Sequence, residues 1–81
     1  APHDEHIRSI VNTNMEAVVQ NFELIYQKHQ QEGNIDASKK PKALANFTYG
    51  TMSSIKLISR STKNRSILQD IADTAIEAIL R

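Results

Sequence analysis

From Ile7 to Tyr26 the apolar residues recur at helical spacing for most of a third of the chain. Ile7, Ile10, Val11, Met15, Val18, Val19, Phe22, Ile25 and Tyr26 fall at i, i+3 and i+4 steps, the period of one amphipathic helix. Asp4 and Glu5 put negative charge at its start, and Lys28 and His29 put positive charge in its last turns, both favourable to the helix dipole. Gly33 then supplies the left-handed residue that stops it. The expected helix, residues 4–32, would be ~42 Å long at ~1.5 Å per residue. That exceeds the width of an 81-residue globule, so the helix must protrude or lie along another element.

Two shorter helices follow. Asn34 to Lys40 is polar apart from Ile35 and Ala37, and Ile35 is expected to tuck back onto the helix end after Gly33. Pro41 opens the second helix, 41–61, where a missing N–H does no harm. Its stripe is Leu44, Phe47, Thr48, Thr51, Ile55 and Ile58. Gly50 and Ser54 flank the stripe, and small residues in mid-helix mark either ordinary packing or a close helix crossing between subunits. Asn64 is a good N-cap for the third helix, 65–80. Ile67, Leu68, Ile71, Ala72, Ala75, Ile76, Ala78, Ile79 and Leu80 cover about half its girth, wider than the ~100° stripe of a surface helix. Such a helix needs two partners: the chain's own core and a second chain.

The reading is therefore all-α, one helical domain over residues 1–81, with the last two helices an antiparallel hairpin because the joint between them is short. Two hairpins paired about a two-fold axis give a closed four-helix interface. The residues placed there are Phe47, Thr51, Ser54, Ile55 and Ile58 on the second helix and Ile71, Ala75 and Ile79 on the third.

Size and composition push the same way. A chain this short buries only a modest core and needs reinforcement. There is no Cys, so neither a disulfide nor a thiolate metal site supplies it, and a partner subunit remains. Ten basic against nine acidic residues, a net charge of +1, is weak for a chain that must neutralise many phosphates. No apolar run approaches the ~20 residues of a membrane span and nothing reads as a signal peptide, so a cytoplasmic location away from membranes is expected.

The sequence presents no catalytic constellation. His3 and His6 stand three apart beside Asp4 and Glu5, a spacing that could hold a metal. They sit at a fraying helix start with no third ligand fixed by the pattern, so neither metal, cofactor nor enzymatic activity is expected. Lys39, Lys40 and Lys42 precede the second helix and Arg60, Lys63 and Arg65 follow it. Phosphate contact competes here with plain solvation and helix-end charge, and the low net charge favours the latter. Asn14 and Asn21, two turns apart on the edge of the apolar face, admit two readings. One is an interhelical hydrogen bond or a wet edge. The other is a small-molecule pocket shared with Val18 and Phe22, in which a few polar groups orient an apolar ligand.

Three stretches carry a resemblance. They are Ala1-Pro2-His3-Asp4-Glu5-His6-Ile7, then Glu32-Gly33-Asn34-Ile35 with Pro41-Lys42-Ala43-Leu44-Ala45-Asn46-Phe47, and then Thr51 to Arg60 with Asn64 to Ile71. In this order and spacing they resemble the C-terminal half of TetR-family transcriptional repressors, over essentially the whole chain. The resemblance implies that the last two helices make the dimer interface as a four-helix bundle and that preceding helices line an effector pocket. It also implies that the chain is the C-terminal segment of a larger effector-binding domain, without the N-terminal helix-turn-helix through which the family reads DNA. Ala1 in place of an initiator Met fits that expectation. The family often has Gly where this chain has Ser54, which implies a looser backbone approach there. The expected function is thus a homodimerising, effector-sensing segment of a TetR-like repressor with no DNA-binding activity of its own. A stand-alone adaptor that docks a partner's helix in an apolar groove is the alternative.

Overall fold

A computed structural model describes residues 2–81, with the side chains of Pro2, His3, Val11 and Asn12 outside the description. Three helices follow one another: α1 (Pro2–Gln31), α2 (Pro41–Ser61) and α3 (Arg65–Leu80), with no strand among the described residues. Helix starts and stops fall within two residues of those read from the periodicity.

The joints show why. Gly33 takes φ +81°, the left-handed conformation that ends α1, and its N–H reaches the Gln30 carbonyl at 3.1 Å while Asn34 N–H reaches that of His29 at 2.8 Å. Ile35, just beyond, is buried at 7% exposure. Asp36 accepts the Ser38 N–H on Oδ1 at 2.9 Å, and the Gln30 amide donates to the Asp36 carbonyl at 3.0 Å and to that of Lys39 at 2.6 Å. One α1 side chain thus holds the middle and the far end of the loop. Pro41 begins α2. Asn64 caps α3 by accepting the Ser66 N–H at 3.1 Å.

Helices α1 and α3 both pack on α2 and not on each other among the described residues. Tyr26 of α1 and Thr48 of α2 share a hydrogen bond of 2.5 Å, and Tyr26 also stacks on Phe22, ring centres 6.4 Å apart. Thr48 Oγ1 lies 2.8 Å from the Leu44 carbonyl, which its single proton serves. Tyr26 is therefore the donor in the Tyr26–Thr48 pair. One turn before Thr48, Ala45 is completely buried, so the α1–α2 crossing is close at that point. On the other side of the molecule the hairpin closes through Lys39, whose Nζ donates to the carbonyls of Ala78 and Ile79 at 2.8 and 3.0 Å. A cation there satisfies two orphan carbonyls at the negative end of α3 and sets the start of α2 beside the end of α3, hence antiparallel.

The result is a thin plate. Its extents are 47 × 31 × 13 Å and its radius of gyration is 15.2 Å, against about 12 Å for a compact chain of this length. Its accessible surface is 6303 Å², where a compact monomer of this mass exposes roughly 4,900 Å². Among the described residues only Val19, Ile35, Ala45 and Ala75 are buried. Only Val19 and Ile35 among these are larger than alanine, while Leu57, Leu80 and Ile76 stand 66%, 61% and 55% exposed. No described helix is long and apolar enough to cross a membrane.

Candidate interaction site on the helix hairpin

Helix α1 packs on α2 and not on α3 among the described residues, and it meets the side of α2 that carries Ala45 and Thr48. At 100° per residue Ser54 lies nine positions, or half a turn, from the buried Ala45 that marks the α1 crossing. The side of α2 carrying Phe47, Gly50 and Ser54 is therefore turned away from α1. There the hairpin opens into a groove of about 650 Å³, walled by Phe47, Gly50, Thr51, Ser54 and Ile58 from α2 and by Asp70, Ile71, Thr74 and Ala75 from α3. Phe47 stands 45% exposed at one end. Small side chains make the floor low, because α2 places Gly50, Thr51 and Ser54 where a run of Leu would fill the space.

Gly50 is informative because nothing in this chain needs it to be glycine. A Cβ built there meets no atom within 4 Å. Glycine in mid-helix costs about 1 kcal/mol relative to alanine, and no intrachain contact offsets that cost. The open space above Gly50 is instead the floor of the groove.

Six of the eight residues expected at an interface, namely Phe47, Thr51, Ser54, Ile58, Ile71 and Ala75, line this one groove. Ile55 lies on the other side of the hairpin, in a depression of about 420 Å³ with Arg65, Leu68, Gln69 and Ala72. Ile79 is half-buried at the end of α3, outside the groove walls. Asp70 and Thr74 were not among the expected residues. Their polarity hides them from an apolar pattern, although Asp70 is one residue before Ile71 and Thr74 one before Ala75.

The residues read as a small-molecule pocket lie elsewhere. Asn14, Val18 and Asn21 are on exposed parts of α1, Phe22 is half-buried against Tyr26, and none of the four lines a described cavity. Ile7, Ile10 and Ile25 of the same helix are also exposed, at 47%, 49% and 48%. For the histidine pair, the His3 side chain lies outside the described residues; among the described ones no three His, Asp or Glu side chains come together as a metal site. His29 sits 3.8 Å from Glu32 and 3.3 Å from the Asn34 amide at the end of α1.

The basic clusters separate. Lys39 is engaged at the end of α3 as described. Lys63 and Arg65, with Ser59, Thr62 and Leu68, surround a shallow depression of about 360 Å³ at the hairpin turn. Asp36, in the α1–α2 joint, is held below its ordinary value of 3.8, first by the Ser38 N–H, then by the Ser38 hydroxyl and the Lys39 ammonium. No family model, curated protein or solved structure matches the chain. What the architecture defines by itself is a three-helix plate whose hairpin carries an open, apolar groove.

Proposed function

We propose that this chain is a self-association module, and specifically the dimerising, effector-sensing segment of a cytoplasmic TetR-like transcriptional repressor. The groove opposite α1 carries the first part. It is apolar, lies on the side of α2 that α1 leaves open, and has at Gly50 a floor where an added Cβ would meet no atom within 4 Å. Burial of such a surface is favourable at about 25 cal/mol per Å² of apolar area. Surface in excess of a compact monomer's amounts to about 1,400 Å², more than the ~800 Å² each partner contributes to a standard interface.

The narrower reading draws on the resemblance of the three stretches quoted above. In it the hairpins of two copies join, and an effector held against α1 near Asn14, Val18, Asn21 and Phe22 shifts the helices that govern the spacing of two DNA-reading heads carried outside this chain. DNA is contacted through those heads alone, and no step here is catalytic.

Native mass spectrometry over a concentration series tests the module. The wild type is expected to be a dimer, and Ile58→Asp or Ile71→Asp to disperse it, since either puts a charge in the groove wall. A wild-type chain that stays monomeric at tens of micromolar overturns self-association. The adaptor reading then gains, because a groove between two helices also accepts one helix of a different protein.

A further inference from the structure

Helix α1 is apolar on two sides, and α2 covers one of them. Val19, Tyr26 and Gln30 are the side chains turned to α2 and to the loop before it. Ile10, Ala17 and Asn21 each lie nine positions, or half a turn, from one of these three. Around them runs an outer row of Ile7, Ile10, Asn14, Ala17, Val18, Asn21, Ile25 and Lys28, neighbours at three- and four-residue steps. Every residue of the row is exposed, the large apolar ones Ile7, Ile10, Val18 and Ile25 included. Helix α3 does not pack on α1 among the described residues. The row therefore forms an outer edge of the plate, turned away from α2 and from the hairpin groove.

We infer that this row is covered by the same row of a second copy, with the two α1 helices antiparallel and the two-fold axis between Ala17 and Val18. The inference goes beyond the hairpin contact and does not rest on it. The row itself argues for a second copy. Reversed about the point between Ala17 and Val18 it falls on itself, so that Ile10 comes opposite Ile25, Asn14 opposite Asn21, and Ala17 opposite Val18. Apolar side chains then meet apolar ones, and each asparagine amide, which both donates and accepts, meets another. A wholly apolar helix of a different protein would strip water from both amides and give them no partner. Charge sets the direction. Asp4 and Glu5 stand in the first turn of α1, Lys28 and His29 in the last. A parallel pair would also match the asparagines, but it would set Lys28 directly against Lys28 and align the two helix dipoles. In the antiparallel pair Lys28 comes opposite Ile7 of the other copy, one turn from its Asp4. Neither Asp4 nor Lys28 has an ion-pair partner among the described residues. One helix row is a smaller contact than a groove walled by two helices, so the α1 pair forms at higher concentration than the hairpin pair. It also occupies the two amides against which the effector is proposed to sit, so effector and α1 pairing exclude each other.

The chain has no Cys, so disulfide trapping reads the pairing directly. Asn14→Cys and Asn21→Cys are made in the full chain, with Gln20→Cys, exposed on another side of α1, as the measure of random collision. Circular dichroism verifies that each is helical. Each variant is oxidised alone, and the two asparagine variants are also oxidised as a mixture, with products resolved by mass. In the antiparallel pair residue 14 lies ~10 Å along the axis from its own copy, beyond the ~7 Å between Cα atoms that a disulfide spans. The mixed cross-link is therefore expected at least roughly tenfold above the product of either variant alone, which stays at the collision level. Each asparagine variant cross-linking to itself would mean a parallel pair and overturn the arrangement. A mixed product no greater than the collision level would mean that no second copy covers the row, and would overturn the proposal whether or not the hairpins pair. Ile71→Asp, added to both variants to part the hairpins, is expected to leave the mixed cross-link in place. Its loss in a chain that is still helical would overturn the independence of the two contacts.

Discussion

At the scale of single residues, two positions carry opposite lessons. Gly50 weakens its own helix, and a Cβ built there meets no atom within 4 Å, so packing within the chain does not call for a glycine. Gly50→Ala is expected to stabilise the isolated chain by about 0.5–1 kcal/mol through helix propensity, while weakening self-association by raising the groove floor. Urea titration at high dilution and sedimentation velocity at high concentration read the two effects separately. A variant that gains in both would place the contact elsewhere. Asp36 is explained wholly from within. Its carboxylate is favoured by the Ser38 N–H, so its folded pKa lies below 3.8. A depressed carboxylate contributes stability that is present above the unfolded value and is lost as pH falls through the folded one. The loss therefore belongs below pH 3.8. An NMR titration should give a midpoint under 3.8, and Ser38→Ala should keep most of the shift because the backbone donor remains. A midpoint at or above the ordinary value would contradict this account.

At the scale of elements, the helices were legible because their signals are local. Gly33, Pro41 and Asn64 act on their own backbone, and each does in the structure what its type implies. What spacing alone could not give was the direction each face takes. Ile55 and Ile58 are three apart and read as one stripe, yet they lie on opposite sides of the hairpin, because the seam with α3 runs between them. Polar residues on the groove, Asp70 and Thr74, are silent in an apolar pattern. The Tyr26–Thr48 pair is silent too, since a hydroxyl partner 22 positions away leaves no periodic trace. That pair is the polar tie between α1 and α2, and it has an order. Tyr26→Phe removes one donor and leaves Thr48 bonded to Leu44, so it should cost about 0.5–1.5 kcal/mol. Thr48→Val should cost more, because it leaves the part-buried Tyr26 hydroxyl without its partner. Adding Tyr26→Phe to Thr48→Val should recover part of the loss. Thermal unfolding of the three variants forms the double-mutant cycle, and strict additivity would mean that the hydroxyls do not interact.

At the scale of the whole molecule, the plate buries little. Its least extent is 13 Å, against 47 and 31 Å in the other two directions. Val19, Ile35, Ala45 and Ala75, two of them alanines, make up what is buried among the described residues. Stability should then depend on how many copies are present: the melting temperature is expected to rise with protein concentration, as mass action requires when association is part of the folded state. A melting temperature constant over a hundredfold range would mean that the plate stands alone.

The contact pattern of α2 has a consequence in time. Because α1 and α3 meet α2 and not each other among the described residues, the interhelix contacts described join neighbours in sequence, and no long loop must close before they form. Chains built this way fold on the microsecond to millisecond scale. On the proposed self-association, two copies must still find each other by diffusion, so refolding should separate into a fast phase independent of concentration and a slower one that accelerates with it. Between the two phases the hairpin groove is exposed, and the interval during which a different helix could take it lengthens with dilution.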